Sequence, residues 1–300
     1  MTNDNKLTPG ILRRFSQVYE KDQPGRPKKQ GGLSGSAIPR TRTGIAGLDE
    51  ILNGGIPQGR IAMVIGEPGA GKTVLSSQFL INGIEKFGEN GMFVSLKESR
   101  RHYYREMETF GWDFASLEKA GKFAFVDASP IRSVPEEVKL GKVTIGKQDF
   151  SLISLLELIN TTAKGIGALR IVVDSLSMLE SQFAEAIQRR KAVLDLVEAL
   201  AETGATCIVT TDFTSIGLEA WTTLENFLRF SIIQFEKQLF HGVISMQSTT
   251  SGMLMERVIR VEKMRETRIE QQPRLYRITE KGIEVYPREN LSSAGKAENE

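Results

Sequence analysis

The sequence predicts an α/β fold: a mostly parallel sheet flanked by helices, with an antiparallel C-terminal extension. Near-continuous apolar runs of strand length recur at IAMVI (61–65), MFVSL (92–96), FAFVD (123–127), IVVDS (171–175) and TCIVTT (206–211). Strands buried on both faces read this way. Amphipathic stretches separate the runs, which is the βαβ alternation of a parallel sheet. After residue 240 the alternation stops. HGVISMQ, ERVIRVEKM, RLYRIT and GIEVYP then succeed one another with short turns, the pattern of an antiparallel extension on the sheet edge.

Residues 1–40 lack sustained periodicity and carry QPGRPKKQGGLSGSAIPR, low in hydrophobicity and punctuated by Pro and Gly. They read as a flexible arm. The arm is basic, with Arg13, Arg14, Arg26, Lys28, Lys29 and Arg40, and its segment 11–20 has the pattern of a short amphipathic turn. A folded domain is expected over 41–287. In it, KTVLSSQFLINGIEKFG places Leu75, Phe79, Ile84 and Phe87 on one side and stops at Gly88, a C-terminal helix signal. AEAIQRRKAVLDLVEALAETG puts Ile187, Leu194, Val197 and Ala201 on one stripe and ends at Gly204. Residues 288–300 are polar and read as a frayed tail.

Composition bounds the function. The 300 residues are 40% hydrophobic and 25% charged, enough for a sizeable core in an ordinary globular chain. A net charge of +2 makes no global demand for a polyanionic partner. The single Cys207 excludes an internal disulfide framework and suits a reducing cytoplasm. No apolar run approaches ~20 residues, so neither a signal peptide nor a membrane span is expected, and the location expected is cytoplasmic. His102 and His241 lie too far apart in sequence to suggest zinc.

The run Gly66-Glu67-Pro68-Gly69-Ala70-Gly71-Lys72-Thr73 satisfies G-x-x-x-x-G-K-[ST]. Such a match arises by chance in about one chain in a hundred of this length, and its context sharpens it. An apolar strand precedes it and an amphipathic helix, through Val74, follows. Glycines let the backbone curl so that successive N–H groups converge on phosphate oxygens, and the helix N-terminus adds positive dipole character. Lys72 would reach the β- and γ-phosphates, and the Thr73 hydroxyl would coordinate Mg²⁺. ATP and Mg²⁺ are therefore the expected ligands. A carboxylate leaving a buried strand would hold the metal through water, and Asp174 after RIVV supplies it. Hydrolysis also needs a group to activate water. Glu98, just past MFVSL, is the candidate, on the expectation that its strand lies next to the phosphate-loop strand.

From Arg40 to Thr73, RTRTGIAGLDEILNGGIPQGRIAMVIGEPGAGKT resembles the opening of a KaiC-type domain of the RecA/RadA ATPase superfamily. FVSLKES, RIVVDSLSML, VEKMRET and GIEVYP extend the resemblance in order to residue 287. It implies a RecA-like P-loop NTPase core and a homo-hexameric ring with ATP between subunits. It also implies that Lys263 and Arg265, in Lys-Met-Arg, reach the neighbouring subunit's γ-phosphate, as an arginine finger does. Without it, such cations after a strand read as a solvated edge that blocks strand pairing. Two departures stand out. The family places two adjacent glutamates after the second strand and commonly assigns the first as base; here Lys97 replaces the first and Glu98 matches the second. Lys97 thus implies slow hydrolysis, substitution by Glu98, or retention of bound nucleotide. The clock proteins' phosphorylated Ser/Thr pair falls on Lys237 and Gln238, and one domain is expected where those proteins have two, so an autokinase cycle is not expected. Thr210 and Thr211 read as a sensor strand, and Thr222 and Thr223 as a helix cap or loop.

Three readings of function follow. The first is a ring ATPase that signals to a protein partner, since nucleotide at an interface couples ring geometry to the γ-phosphate. The second is a RadA-like DNA-handling ATPase. Its candidate channel segment is 129–150, with Arg132, Lys139, Lys142 and Lys147 offset by Glu136, Glu137 and Asp149. The third is a nucleotide-binding scaffold with little turnover, motivated by Lys97. The aromatic-rich segment 217–240 reads as a core helix or a subunit contact.

Overall fold

The computed structural model describes residues 38–128, 138–140, 143–145, 152–183, 185–213, 235–251 and 254–288. The arm up to residue 37, most of segment 129–150, residues 214–234 with Thr222 and Thr223, and the tail from residue 289 lie outside the described residues.

β1 (Arg40–Thr41) and β2 (Ile56–Pro57) pair antiparallel around α1 (Leu48–Ile51). β3 (Ile61–Gly66) leads into α2 (Lys72–Phe87), and β4 (Gly91–Ser95) leads through α3 (Arg100–Glu108) and α4 (Phe114–Lys119) to β5 (Phe123–Asp127). A hairpin of β6 (Val138–Leu140) and β7 (Val143–Ile145) precedes α5 (Leu152–Ile166). Then come β8 (Arg170–Asp174), α6 (Leu176–Glu180), α7 (Ala186–Glu202) and β9 (Thr206–Asp212). The chain closes with β10 (Gly242–Ser251), β11 (Leu254–Met264), β12 (Arg274–Thr279) and β13 (Gly282–Tyr286).

The main sheet has nine strands in the order β13-β12-β11-β10-β3-β9-β8-β4-β5. From β10 to β5 every pairing is parallel; β11, β12 and β13 are antiparallel. The expected α/β class therefore holds, with two corrections. HGVISMQ is not the first antiparallel strand: β10 runs parallel to β3 and turns the sheet only on its other edge. MFVSL is not beside the phosphate-loop strand either, because β9 and β8 stand between β3 and β4. An apolar run records burial but not its neighbour, so order had to come from the crossovers.

The parallel strands bury both faces by alternation. Val64, Phe93, Val172 and Ile208 join α1, α2 and α3 in one core, while Met63, Ile65, Met92, Val173 and Val209 join α5, α6 and α7 in the other. The α7 stripe is rotated from the expected one. Val193, Leu196, Val197 and Leu200 are buried, Leu194 and Ala201 only half so, and Ile187 is 79% exposed. The i, i+7 spacing picked a row along the edge of the true face.

Two polar devices fix the helices that matter for the site. Buried Arg170 opens β8, donates from Nε to Glu89 at 2.6 Å, and donates to the Phe79 carbonyl of α2 at 2.8 Å. It passes so close under α2 that a Cβ on Gly83 would lie 2.3 Å from its Cδ. In TGIAGLDE, Asp49 accepts from Thr43 N and Oγ1, each at 2.7 Å, and Ala46 O accepts from Val285 N of β13. The segment before β3 is thereby closed onto the end of the sheet.

Candidate functional site

The site lies at the carboxyl ends of the parallel strands, where an open α/β sheet puts its ligands. After β3 the loop curls through Gly69 (φ 82°) and Gly71 (φ 88°) into the first turn of α2. The positive φ at Gly71 favours glycine, and a Cβ there would also crowd the Ile278 Cδ1 methyl at 2.8 Å. At Gly69 a Cβ would meet nothing within 4 Å; the mouth of the loop is open. From outside the loop, Tyr276 of β12 donates to the Ala70 carbonyl at 2.6 Å, and burial pushes its phenol up to about 12. Gln78 of α2 accepts from Ile283 N of β13 at 2.7 Å. The antiparallel extension thus buttresses the loop and its helix.

Lys72 is buried, and its ammonium folds back over the loop. It donates to the Gly66 carbonyl at 2.8 Å and the Glu67 carbonyl at 2.9 Å, and pairs with Asp212 Oδ1 at 2.9 Å. Thr73 Oγ1 donates to Asp174 Oδ2 at 2.7 Å, and Thr210 Oγ1 of β9 donates to Asp174 Oδ1 at 2.6 Å. Thr211 bonds Ser177, whose hydroxyl also accepts from Asp212 N at 2.8 Å. Hydroxyls and carboxylates from α2, β8 and β9 therefore meet at one point.

This donor set fits magnesium carried by a nucleotide. A hard cation that keeps several waters needs only one or two protein oxygens beside phosphate, and Thr73 with Asp174 supplies them. Among the described residues no group of three or more His, Cys, Asp or Glu could hold a metal alone. The open loop, ringed by α2 N–H groups and Lys72, fits phosphate.

Glu98 sits one strand beyond Asp174, since Ser95 and Asp174 are partners across β4 and β8. The Ser95 hydroxyl donates to Glu98 O at 2.6 Å and accepts from Glu98 N at 2.9 Å, fixing its backbone. Its carboxylate has the Lys97 ammonium at 4.0 Å. Lys263 and Arg265 are not brought to this point within the chain. Lys263 Nζ donates to the Lys237 carbonyl at 3.0 Å, Gln238 at 3.4 Å and Phe240 at 2.8 Å, capping the helical residues 235–239. Burial, and then Arg265, hold its ammonium below the usual lysine range. Arg265 itself is exposed. Beneath both, buried His241 accepts at Nδ1 from Ile61 N at 3.2 Å, and burial pulls it down to about 4, so it is neutral.

Sequence reasoning missed Asp212, Tyr276 and Arg170. Asp212 had a signal, an acid ending the apolar run TCIVTT, the same signal that found Asp174. Tyr276 and Arg170 had none, because their partners lie 206 residues and 81 residues away.

The family model "ATPase: KaiC" matches residues 41–290. The circadian clock oscillator protein KaiC of Synechococcus elongatus is 32% identical over 84% of this chain. This chain spans 45% of that relative, about half the length of the curated clock proteins it matches. A protein of Thermotoga maritima described only as UPF0273 is 31% identical over 84% of this chain and 98% of its own. Among solved structures, a KaiC-like protein of Pyrococcus horikoshii superposes with a TM-score of 0.68 at 32% identity, covering 83% of this chain and all of that one. No helix among the described residues is long and apolar enough to cross a membrane. The RecA-like sheet order, the phosphate loop and these matches agree: the chain belongs to the KaiC ATPase family.

Proposed function

We propose that this chain is a Mg²⁺-dependent ATPase that works as a homo-hexameric ring and passes its nucleotide state to a protein partner. The observation that carries the reading is the convergence of Lys72, Thr73 and Asp174 at the mouth of the loop. Thr73 and Asp174 would hold the magnesium, which neutralises phosphate charge when bound. Lys72 exchanges Asp212 and the two carbonyls for phosphate oxygens, and the loop N–H groups hold the rest. Glu98 takes the proton of the attacking water as oxygen bonds to the γ-phosphorus and the bond to ADP breaks.

Across the ring, Arg265 is the better placed of the two cations. Its side chain is exposed, whereas Lys263 is committed to three carbonyls of its own chain. Arg265 would stabilise γ-phosphate charge in the neighbouring site, and Lys263 would hold the strand that presents it. The scaffold with little turnover, the third of the readings above, is the alternative the site supports, favoured by the Lys97 ammonium beside Glu98.

One experiment tests ring and enzyme together: particle mass and turnover, each with and without ATP and Mg²⁺. Assembly on nucleotide, with turnover that collapses in Lys72→Ala, is expected. Wild-type turnover no faster than Lys72→Ala removes the enzyme. Mixed particles of Arg265→Ala and Asp174→Asn subunits should regain activity; confirmed mixing without recovery removes the trans role.

A further inference from the structure

The Lys-Met-Arg element runs into a turn with an unusual backbone. Glu266, the residue after Arg265, has φ 60°, a left-handed conformation that non-glycine residues hold only where their surroundings impose it. Two arginines from the other end of the folded domain impose it here. Arg60, directly before β3, forks onto the Glu266 carboxylate: its Nε donates to Oε2 at 3.3 Å and its Nη2 to Oε1. Arg40, which opens β1, donates from Nη2 to the Glu266 carbonyl at 3.0 Å and from Nη1 to Thr267 Oγ1 at 2.9 Å. The same Nη1 donates to the Gly55 carbonyl at 3.0 Å, so the turn is tied to the segment before β3.

These bonds converge on Arg265. Its N–H donates to the His241 carbonyl at 2.9 Å, and its carbonyl accepts from the Thr267 hydroxyl at 3.3 Å. Met264 before it is buried over Gly242, where a Cβ would lie 2.4 Å from the Met264 Cε. The backbone of Arg265 is therefore held on both sides while its side chain stands in solvent. A part-exposed ion pair adds little stability, but a two-bonded arginine–carboxylate fork fixes direction. Direction matters for a cation on a long side chain, because a group misplaced by about 1 Å can cost 10²-fold in rate. We propose that Glu266, held by Arg60 and Arg40, is the positioning residue for Arg265, setting the direction in which that cation leaves the sheet towards the neighbouring subunit. The proposal rests on the trans role of Arg265.

The test uses the full chain with Glu266→Ala and Glu266→Gly. Glycine takes a positive φ without strain, so it keeps the turn and removes only the side chain. Both variants should melt within about 4 °C of wild type, the scale of one part-exposed ion pair, yet kcat falls about 10-fold to 10²-fold. KM for ATP changes by less than about twofold. Arg60→Ala has the same effect, and adding it to Glu266→Ala costs no more than about twofold further, because both act through one cation. The defect lies in the neighbour's site. In mixed particles, Glu266→Ala subunits keep a complete phosphate loop and take Arg265 from Asp174→Asn subunits. Turnover per Glu266→Ala subunit therefore rises at least about fivefold as Asp174→Asn subunits are added in excess. Arg265→Ala in the same assay reports on the trans role itself. Wild-type kcat in Glu266→Ala, or no rise where Arg265→Ala is rescued, overturns the proposal and leaves the trans role standing. If Arg265→Ala is not rescued in confirmed mixed particles, the trans role falls and the proposal falls with it.

Discussion

Asp174 and Glu98 end neighbouring strands of one sheet, yet the chain treats the two carboxylates oppositely. Asp174 is 6% exposed and accepts a short hydroxyl bond on each oxygen, from Thr73 and from Thr210. Glu98 is half-buried, and its nearest cation stands 4.0 Å away. A buried carboxylate must have donors or lose its charge, so Asp174 is pre-set by two other elements before any ligand arrives. Glu98 meets a weaker demand, because a part-exposed carboxylate is not fully removed from solvent. The difference matches the proposed tasks. A metal-holding acid benefits from a fixed position, whereas one that must pick up a proton needs a less saturated surrounding.

The largest effect expected from this contrast is at Asp174. Asp174→Asn keeps an oxygen for one hydroxyl and so keeps the fold, but loses the charge that holds magnesium. Turnover should drop about 10²- to 10³-fold, the scale of losing a preorganised charge-stabilising group, while magnesium-free nucleotide binding by calorimetry stays within about twofold of wild type. Turnover within about threefold of wild type would break the contrast, since Asp174 would then be a structural acid only. A smaller effect is expected from the loosely held end. Lys97→Glu removes the ammonium beside Glu98 and restores the family's paired glutamates; steady-state turnover should rise about tenfold, near one and a half kcal/mol of barrier. An unchanged or lower rate would mean that Lys97 serves nucleotide binding rather than restraining hydrolysis.

The legibility of the two ends follows the same physics. Asp174, Thr73 and Lys72 could be read from the sequence because their neighbours in the chain constrain them: an apolar strand that must stop, a loop that must curl, a helix that must start. What completes them was legible only in part. Asp212 ends an apolar run and Thr210 lies on a strand read as a sensor, but their pairing with Lys72 and Asp174, like that of Tyr276 with the loop, depends on a strand order only the fold determines. Strand positions were legible as apolar runs, but β4 was expected beside β3 and stands three places away. The α3, α4 and α5 helices gave no expectation, though α3 carries the face that meets α2 through Tyr103. The Lys-Met-Arg element was legible as sequence, but not the division of labour within it. The three carbonyls that engage Lys263 belong to residues 237–240, which no local pattern links to residue 263.

A third carboxylate carries the contrast to its limit. Glu236 is 1% exposed, and among the described residues neither of its oxygens has a donor when ionised. Glu180, at the end of α6, is its neighbour, and burial with that second acid pushes Glu236 up to about 10. Near neutral pH it is therefore protonated and can donate to Glu180. The folded state holds this proton where an unfolded glutamate, titrating near 4.3, has lost it. Stability should thus fall as pH rises from the unfolded value towards 10. His241 acts in the opposite sense at lower pH: neutral when folded down to about 4, it costs stability as pH falls from its unfolded value near 6.5. Glu236→Gln, an isostere of the protonated acid, should leave the melting temperature nearly unchanged near pH 4, at the unfolded glutamate's own value. At pH 9 it should raise it by roughly 5 °C, the shift expected of one to two kcal/mol in a domain of this size. An equal change at both pH values would show that packing, not the proton, sets the cost. Glu236 would then leave the series in which a buried or half-buried acid is governed by the donors it is given.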